Sequence, residues 1–248
     1  MNWRVLELGT FSCYENMAID EAISEGVFEG TSEPTIRFYK WSPSAVSIGR
    51  FQSMNEEVNI ENCNKLNINY LRRITGGGAV FHDSDGELTY SIIGNEELFP
   101  KGIRESYKEI CGYLVNGLKR LGINASFAPI NDIIVGNKKI SGSAQSRNNK
   151  ILLQHGTILY DINIRKMFSV LNVSKEKISD KMISSVEERV TSIKNQNPNI
   201  DFESLYKELL YSFTENKQAF FGKLTEKERI RVKELIKKYQ SNEWNFYR

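Results

Sequence analysis

The stretch that most limits what this chain can fold into is 72–83, RRITGGGAVFHD, where two arginines meet three consecutive glycines and the chain resumes as an apolar strand. Three glycines leave no Cβ to hold a ligand away, so backbone N–H groups can approach a phosphate or carboxylate, and each glycine tolerates the positive φ that such a turn often needs. Arg72 or Arg73 adds a charge-assisted donor. A glycine run alone is a weak signal, and the plain alternative is a hairpin connection between NYLRR and AVFH. The company favours an anion-binding turn: arginines before it, His82 and Asp83 after it, and a second segment of small polar residues at 138–145.

With 248 residues and 40% hydrophobic content the chain can bury a sizeable core, and we read one domain over 1–248. A formal net charge of +2, from 33 basic and 31 acidic residues, is too balanced to imply nucleic acid, and no basic run interleaves with aromatics. The N-terminus has no apolar signal core, and no uninterrupted apolar run approaches a membrane span, so a soluble, cytoplasmic protein is expected. Cys13, Cys63 and Cys111 are widely spaced with no CxxC pair, which suggests neither a disulfide framework nor a zinc site. Only two histidines, His82 and His155, argue against a histidine-rich metal centre.

A strand near 4–8 precedes SCYE at 12–15, whose capping-box spacing starts a helix running to about Phe28, with Gly26 and Gly30 marking its end. TIRFY and AVSIG, around the turn WSPS, read as a strand pair. Residues 55–66 read as a helix that delivers the chain to NYLRR, the glycine turn, AVFH and then ELTYSII, where Leu88, Tyr90 and Ile92 alternate with polar neighbours. Over 103–121 the apolar residues recur at steps of three and four, giving a helix that Gly122 stops; Cys111 beside that stripe reads as a buried thiol. DIIV, Gly136-Asn137 and KKISGSAQ read as a hairpin, and ILLQHGTILY as a further strand. The remainder reads as helices at 164–171, at 202–213 and from Thr225, where TEKE again has capping-box spacing and the stripe is Ile230, Leu235, Ile236 and Tyr239. Strands early and helices late predict an α/β protein of the α+β type, a mixed or antiparallel sheet covered by helices.

The glycine turn and the segment around Lys139 fall on neighbouring strands in this reading, with a lysine preceding residues small enough for a flat or extended ligand to lie against the backbone. Together with IGRFQ at 48–52, Asn131-Asp132, KISGSAQ from Lys139, QHGTIL at 154–159 and NEWNF near the C-terminus, these pieces resemble the lipoate-protein ligase A family, in the family's order and over nearly the whole chain. The resemblance implies a catalytic domain like those of biotin protein ligases and class II synthetases, with a two-step reaction. Lipoate attacks the α-phosphate of ATP, with Mg²⁺, to give lipoyl-adenylate; the ε-amine of an acceptor lysine then attacks the mixed anhydride. The acceptors implied are the lipoyl domains of 2-oxoacid dehydrogenase E2 subunits and the glycine cleavage H protein.

Carried over by residue, Lys139 would be catalytic and contact both carbonyl and phosphate. Arg73, Thr75, Gly76, Gly77, Gly78, Ala79, Val80, Phe81, Ser141 and Gly142 would join it in binding ATP and the adenylate. His82, Ser143, Ala144, His155 and Gly156 would line the lipoate pocket, and Asp132 would hold Mg²⁺. Fixed cations suit such chemistry because they reduce the repulsion between a carboxylate and a triphosphate. Plainer alternatives stand beside these roles: Lys139 as a solvated strand lysine like Lys138, His155 as a hydrogen-bonded core histidine, and Asp132 as turn chemistry.

Within the superfamily the competing activity is octanoyl or lipoyl transfer through a cysteine thioester, without ATP. Those enzymes carry the cysteine just before the QHG segment or in a loop before Asn131-Asp132. Residues 152–154 and 125–130 contain none, which favours the ligase. The resemblance is to the short form lacking a small C-terminal domain, which can require a separately encoded accessory protein.

Overall fold

The computed structural model describes residues 2–172 and 180–248. Strands β1 (Asn2–Phe11), β2 (Thr35–Trp41), β3 (Ala45–Ile48), β4 (Asn69–Arg72), β5 (Val80–His82), β6 (Glu87–Asn95), β7 (Ala125–Ala128), β8 (Asp132–Val135), β9 (Lys138–Asn148), β10 (Ile151–Leu159) and β11 (Gln218–Gly222) form two sheets. The larger has the order β11-β1-β2-β6-β10-β9-β8-β7, the smaller β4-β3-β5. Pairing is parallel at β11-β1-β2 and β3-β4 and antiparallel elsewhere, so the large sheet is mixed, as expected. The helices are α1 (Cys13–Phe28), α2 (Met54–Glu57), α3 (Ile60–Lys65), α4 (Ile103–Arg120), α5 (Ile164–Val170), α6 (Asp180–Glu187), α7 (Ile193–Gln196), α8 (Phe202–Thr214), α9 (Glu226–Gln240) and α10 (Asn242–Asn245).

Both predicted capping boxes are present. Ser12 accepts from Glu15 N while Glu15 reaches back to Ser12 N, and Thr225 and Glu228 do the same at the start of α9. These bonds satisfy amide donors that a helix start leaves unpaired. Helix α4 lays Ile110, Leu114 and Leu118 with α8's Leu205, Leu209 and Phe213 against Leu88, Tyr90 and Ile92 of β6. On the sheet's other face α1 and α9 pack with Tyr39, Trp41, Ile93 and Leu153. A third cluster, including Val46, Ile48, Met54, Cys63 and Val170, fills the space around the small sheet.

Several local expectations are corrected. β2 and β3 are not a pair, because both edges of β2 are occupied by β1 and β6 while β3 lies in the other sheet. The plain alternative of a hairpin between β4 and β5 does not hold: β3 lies between them, so the glycine stretch is a crossover connection. Residues 55–66 form two short helices, with Asn59 capping the second by accepting from Asn62 N. In the stripes, Ile103 and Ile230 are exposed, and Val232 takes the buried place in α9. The alternation in β6 also means something other than one wet face: Glu87, Thr89 and Ser91 are as buried as Leu88, Tyr90 and Ile92.

Candidate active site

The small sheet stands Ser47, Arg73 and His82 beside one another. Arg50 N donates to Thr75 O and Arg73 N to Ile48 O, which fastens the glycine crossover to the strand it passes. The passage needs glycine at 49, where a Cβ would stand 2.0 Å from Gly77 O. The two arginines then part company. Arg72 donates to the carbonyls of Arg50, Gln52, Trp244 and Asn245, which makes it a structural knot. Arg73 turns to the cavity side, giving Nε to Thr75 Oγ1, Nη1 to Ser47 O and Oγ, and Nη2 to Gly76 O and Gly78 O. Among the described residues it has no carboxylate partner, and burial pushes it down to about 10, so it remains a cation at neutral pH.

Two carboxylate–histidine–hydroxyl relays meet at this arginine. In one, Glu87 Oε1 is 2.8 Å from His82 Nδ1, and His82 Nε2 is 2.8 Å from Ser47 Oγ. In the other, Asp20 Oδ2 is 3.2 Å from His155 Nδ1, and His155 Nε2 is 2.7 Å from Thr75 Oγ1. A carboxylate only accepts, so each ring keeps its proton on Nδ1 and offers Nε2 as acceptor to the hydroxyl. Burial pulls His155 below the usual histidine range although Asp20 opposes it, leaving the ring neutral at pH 7. Burial alone would raise Asp20, but Arg37, at 2.8 Å, together with His155 and Ser91, holds it below the usual carboxylate range. Trp41 stacks on His82, ring centres 3.8 Å apart at 14°, and donates Nε1 to Thr89 Oγ1, which itself donates to Glu87.

Across the cavity, β9 carries a register shift against β8 between Ile133 and Ile134, and Lys139 folds back over its own strand. A Cβ at position 142 would meet Lys139 Nζ at 2.7 Å, so glycine there gives the lysine its path. Nζ lies 2.7 Å from Asp132 Oδ1, an ion pair without the alignment of a hydrogen bond. With side chains 42% and 34% exposed, that pair is worth at most about 1 kcal/mol, so Lys139 is easily drawn to a substrate oxygen. Lys138 is exposed and donates to Glu187 O.

A cavity of about 330 Å³ joins these groups, within the range of small-molecule sites. Arg73, Gly77, Gly78, Ala79, Val80, Phe81, His82, Lys139, Gly142, Ser143, Ala144, His155 and Gly156 line it. Thr75, Ser141 and Asp132 stand behind this wall, and Gly76 lines a second, neighbouring cavity. The expectation that the glycine turn and the Lys139 strand are neighbours in one sheet is corrected: β5 belongs to the small sheet and β9 to the large, and the cavity lies between them. Asp132 is paired with Lys139, and among the described residues no group of three or more His, Cys, Asp and Glu is gathered as for a metal ion. Sequence reasoning missed Asp20, Ser47 and Glu87. Ser47 is a lone polar residue in the apolar run AVSI, which was the available signal, whereas Asp20 beside Glu21 and Glu87 after DSDG read as ordinary surface acids.

Together the fold and the site define a catalytic domain of the lipoyl protein ligase A/B type. The chain belongs to the lipoyl protein ligase A/B catalytic domain family, whose model matches residues 12–214. It is 38% identical to the octanoyltransferase LipM of Clostridioides difficile (strain 630), over 98% of both chains, and further relatives at 32–34% identity carry the same name. Among solved structures it is similar to a bi-partite lipoate protein ligase from Thermoplasma acidophilum, described with its E2 lipoyl domain (TM-score 0.89, 32% identity, 99% of this chain and 96% of that one). It is also similar to a lipoate-protein ligase A bound with ATP (TM-score 0.84, 30% identity, 99% of each). The end-to-end relatives named octanoyltransferase overturn the expectation of an ATP-dependent lipoate ligase. That expectation had leaned on the absence of a cysteine from 125–130 and 152–154.

Proposed function

We propose that this protein is an octanoyltransferase, taking the acyl group from a thioester donor and passing it to the ε-amine of a lysine on a lipoyl domain. The observation that carries this reading is the 38% identity, without truncation of either chain, to an octanoyltransferase. The cavity supports it: Met17, Tyr39, Trp41, Phe81 and Met167 give it an apolar wall suited to an alkyl chain. Each methylene so buried contributes about 0.8 kcal/mol. Lys139 and Arg73 supply positive charge where the reacting carbonyl gathers negative charge.

The lysine acceptor is proposed to be the lipoyl domain of a 2-oxoacid dehydrogenase E2 subunit or the glycine cleavage H protein, in the cytoplasm. An E2 lipoyl domain accompanies the archaeal relative. A thioester is already activated, so neither ATP, Mg²⁺ nor an adenylation partner takes part in this reading. Incubating the purified chain with an octanoyl thioester and an apo-lipoyl domain, without ATP, should add one octanoyl group to one lysine, read by mass spectrometry. Modification that appears only with free acid and ATP would reject the transferase.

A further inference from the structure

Two buried hydroxyls flank Arg73, and each is shared with a histidine. Arg73 Nε donates to Thr75 Oγ1 and Nη1 to Ser47 Oγ, both at 3.1 Å. A hydroxyl has one proton to give and lone pairs to offer, so it faces the guanidinium with a lone pair and needs another acceptor for its proton. Among the described residues that acceptor is a ring nitrogen in both cases: His155 Nε2 at 2.7 Å from Thr75 Oγ1, and His82 Nε2 at 2.8 Å from Ser47 Oγ. On the far side of each ring Nδ1 keeps its proton, because a carboxylate stands there, Asp20 for His155 and Glu87 for His82.

We propose that Asp20–His155–Thr75 and Glu87–His82–Ser47 are paired positioning relays: with both rings neutral and protonated on Nδ1, they hold the Arg73 guanidinium, and through it the glycine crossover, in the pose used for acyl transfer. The inference rests on the acyl-transfer reading above. Arg73 Nη2 donates to Gly76 O and Gly78 O, and Gly77 lies so close that a Cβ there would stand 2.9 Å from that nitrogen. Gly77 and Gly78 line the cavity, so a guanidinium that moves takes part of the cavity wall with it. With all five N–H groups committed, Arg73 serves the reacting carbonyl as a fixed positive charge, and what the relays contribute is its placement.

Both relays are braced from behind. Glu87 Oε1 also accepts from Thr89 Oγ1, and Trp41 stacks on His82. Asp20 is gripped by Arg37, Ser91 and Tyr39. A proton gained at either Nε2 would put a second cation on a hydroxyl that Arg73 already uses, and would leave that hydroxyl's own proton without its acceptor. Burial, and then the charges of Arg73 and His82, pull His155 below the usual histidine range against the opposing Asp20, which keeps that ring neutral. The other charged groups beside the rings are paired: Asp83, next to His82, with Lys166 at 3.7 Å, and Lys139 across the cavity with Asp132. Thr75 stands behind the cavity wall, so its route to the reaction runs through Arg73.

The test uses the full chain with S-octanoyl-N-acetylcysteamine as donor and an apo-lipoyl domain as acceptor. Thr75→Val keeps the shape and removes the hydroxyl; kcat should fall about 10-fold or more, as for a lost bond to a charged group, with KM for the donor within about twofold. Thr75→Ser should recover most of that loss. In an Arg73→Ala background Thr75→Val should add little, because the residue it serves is gone. Nitrogen-15 spectra of histidine- and arginine-labelled wild type near neutral pH should show both rings neutral with the proton on Nδ1, and an Arg73 Nε–H signal protected from exchange with water. That protection should be lost in Thr75→Val. A kcat for folded Thr75→Val within about twofold of wild type, an undiminished effect in the Arg73→Ala background, or either wild-type ring protonated on Nε2 would overturn the relays while leaving octanoyl transfer intact. A wild type that transfers no octanoyl group would instead remove the acyl-transfer reading, and the spectra would still decide how Arg73 is held.

Discussion

Arg72 and Arg73 are adjacent in the chain but serve different sides of it: the guanidinium of Arg72 binds carbonyls of residues 50, 52, 244 and 245, while that of Arg73 binds Ser47 and the glycine crossover. A lysine at either place keeps the charge and loses the planar fork. Arg72→Lys should therefore cost about 3 kcal/mol of stability through orphaned carbonyls, with a smaller loss of transfer in the folded fraction. Arg73→Lys should do the reverse, lowering kcat/KM more than stability. Urea denaturation and transfer kinetics on both variants check this, and matching profiles would show the division to be misread.

Lys139 contacts the cavity and Lys138 does not. Lys139→Ala should reduce kcat/KM for octanoyl transfer by an amount equal to about 2–4 kcal/mol, the worth of a charge aimed at a developing oxyanion. Lys138→Ala should stay near wild type. Equal losses would place both side chains at the substrate and contradict the strand geometry.

Stability should fall as the solution is acidified. The free histidine value is 6.5 and the folded His155 lies below it, so as pH drops below 6.5 the unfolded chain gains its proton first. Asp20 works in the same direction lower down: its stabilisation is complete above 3.8 and is lost as pH falls through the depressed folded value. The urea midpoint should accordingly decline from pH 7 to pH 5, with a shallower slope in His155→Gln. An unchanged slope in that variant would mean His155 titrates alike in both states.

Asn245 is buried and accepts from Arg72 N at 2.7 Å while its amide donates to Tyr239 O and Ser241 O. Asn245→Ala takes the side-chain partner from Arg72 N and Tyr239 O, while Ser241 O keeps the amide of residue 245, and should cost about 1–3 kcal/mol by thermal or urea unfolding. A neutral result would imply that water replaces the side chain.

What could be read in the sequence was what local chemistry decides. The capping boxes located α1 and α9, Gly122 located the end of α4, and Gly136-Asn137 located the turn between β8 and β9. Pairing was less legible, because adjacency along the chain cannot reveal that β3 inserts between β4 and β5, nor that β2 already has two partners. The edge strand β11 was missed: QAFFG is short, and its Phe220 and Phe221 are exposed. In the site, Arg73, His82, Lys139 and His155, brought by the family resemblance, reach the cavity wall, while Asp132 stands behind it. Glu87 and Ser47 escaped because alternation assigns polar strand residues to water, whereas here the second face of the sheet is buried as well.

The knot at Arg72 also bears on the order in which the protein can assemble. Trp244 and Asn245 are made 172 and 173 residues after the arginine they hold. At about 5–20 residues per second, that separates the two by roughly 9–34 s of synthesis. During that interval the Arg72 guanidinium can already reach the carbonyls at 50 and 52, but its Nε, its Nη2 and the backbone amide of Arg72 lack their acceptors at 244 and 245. The knot at Arg72 is thus closed only when α10 docks, so a nascent chain completes its sheets before this fastening is made.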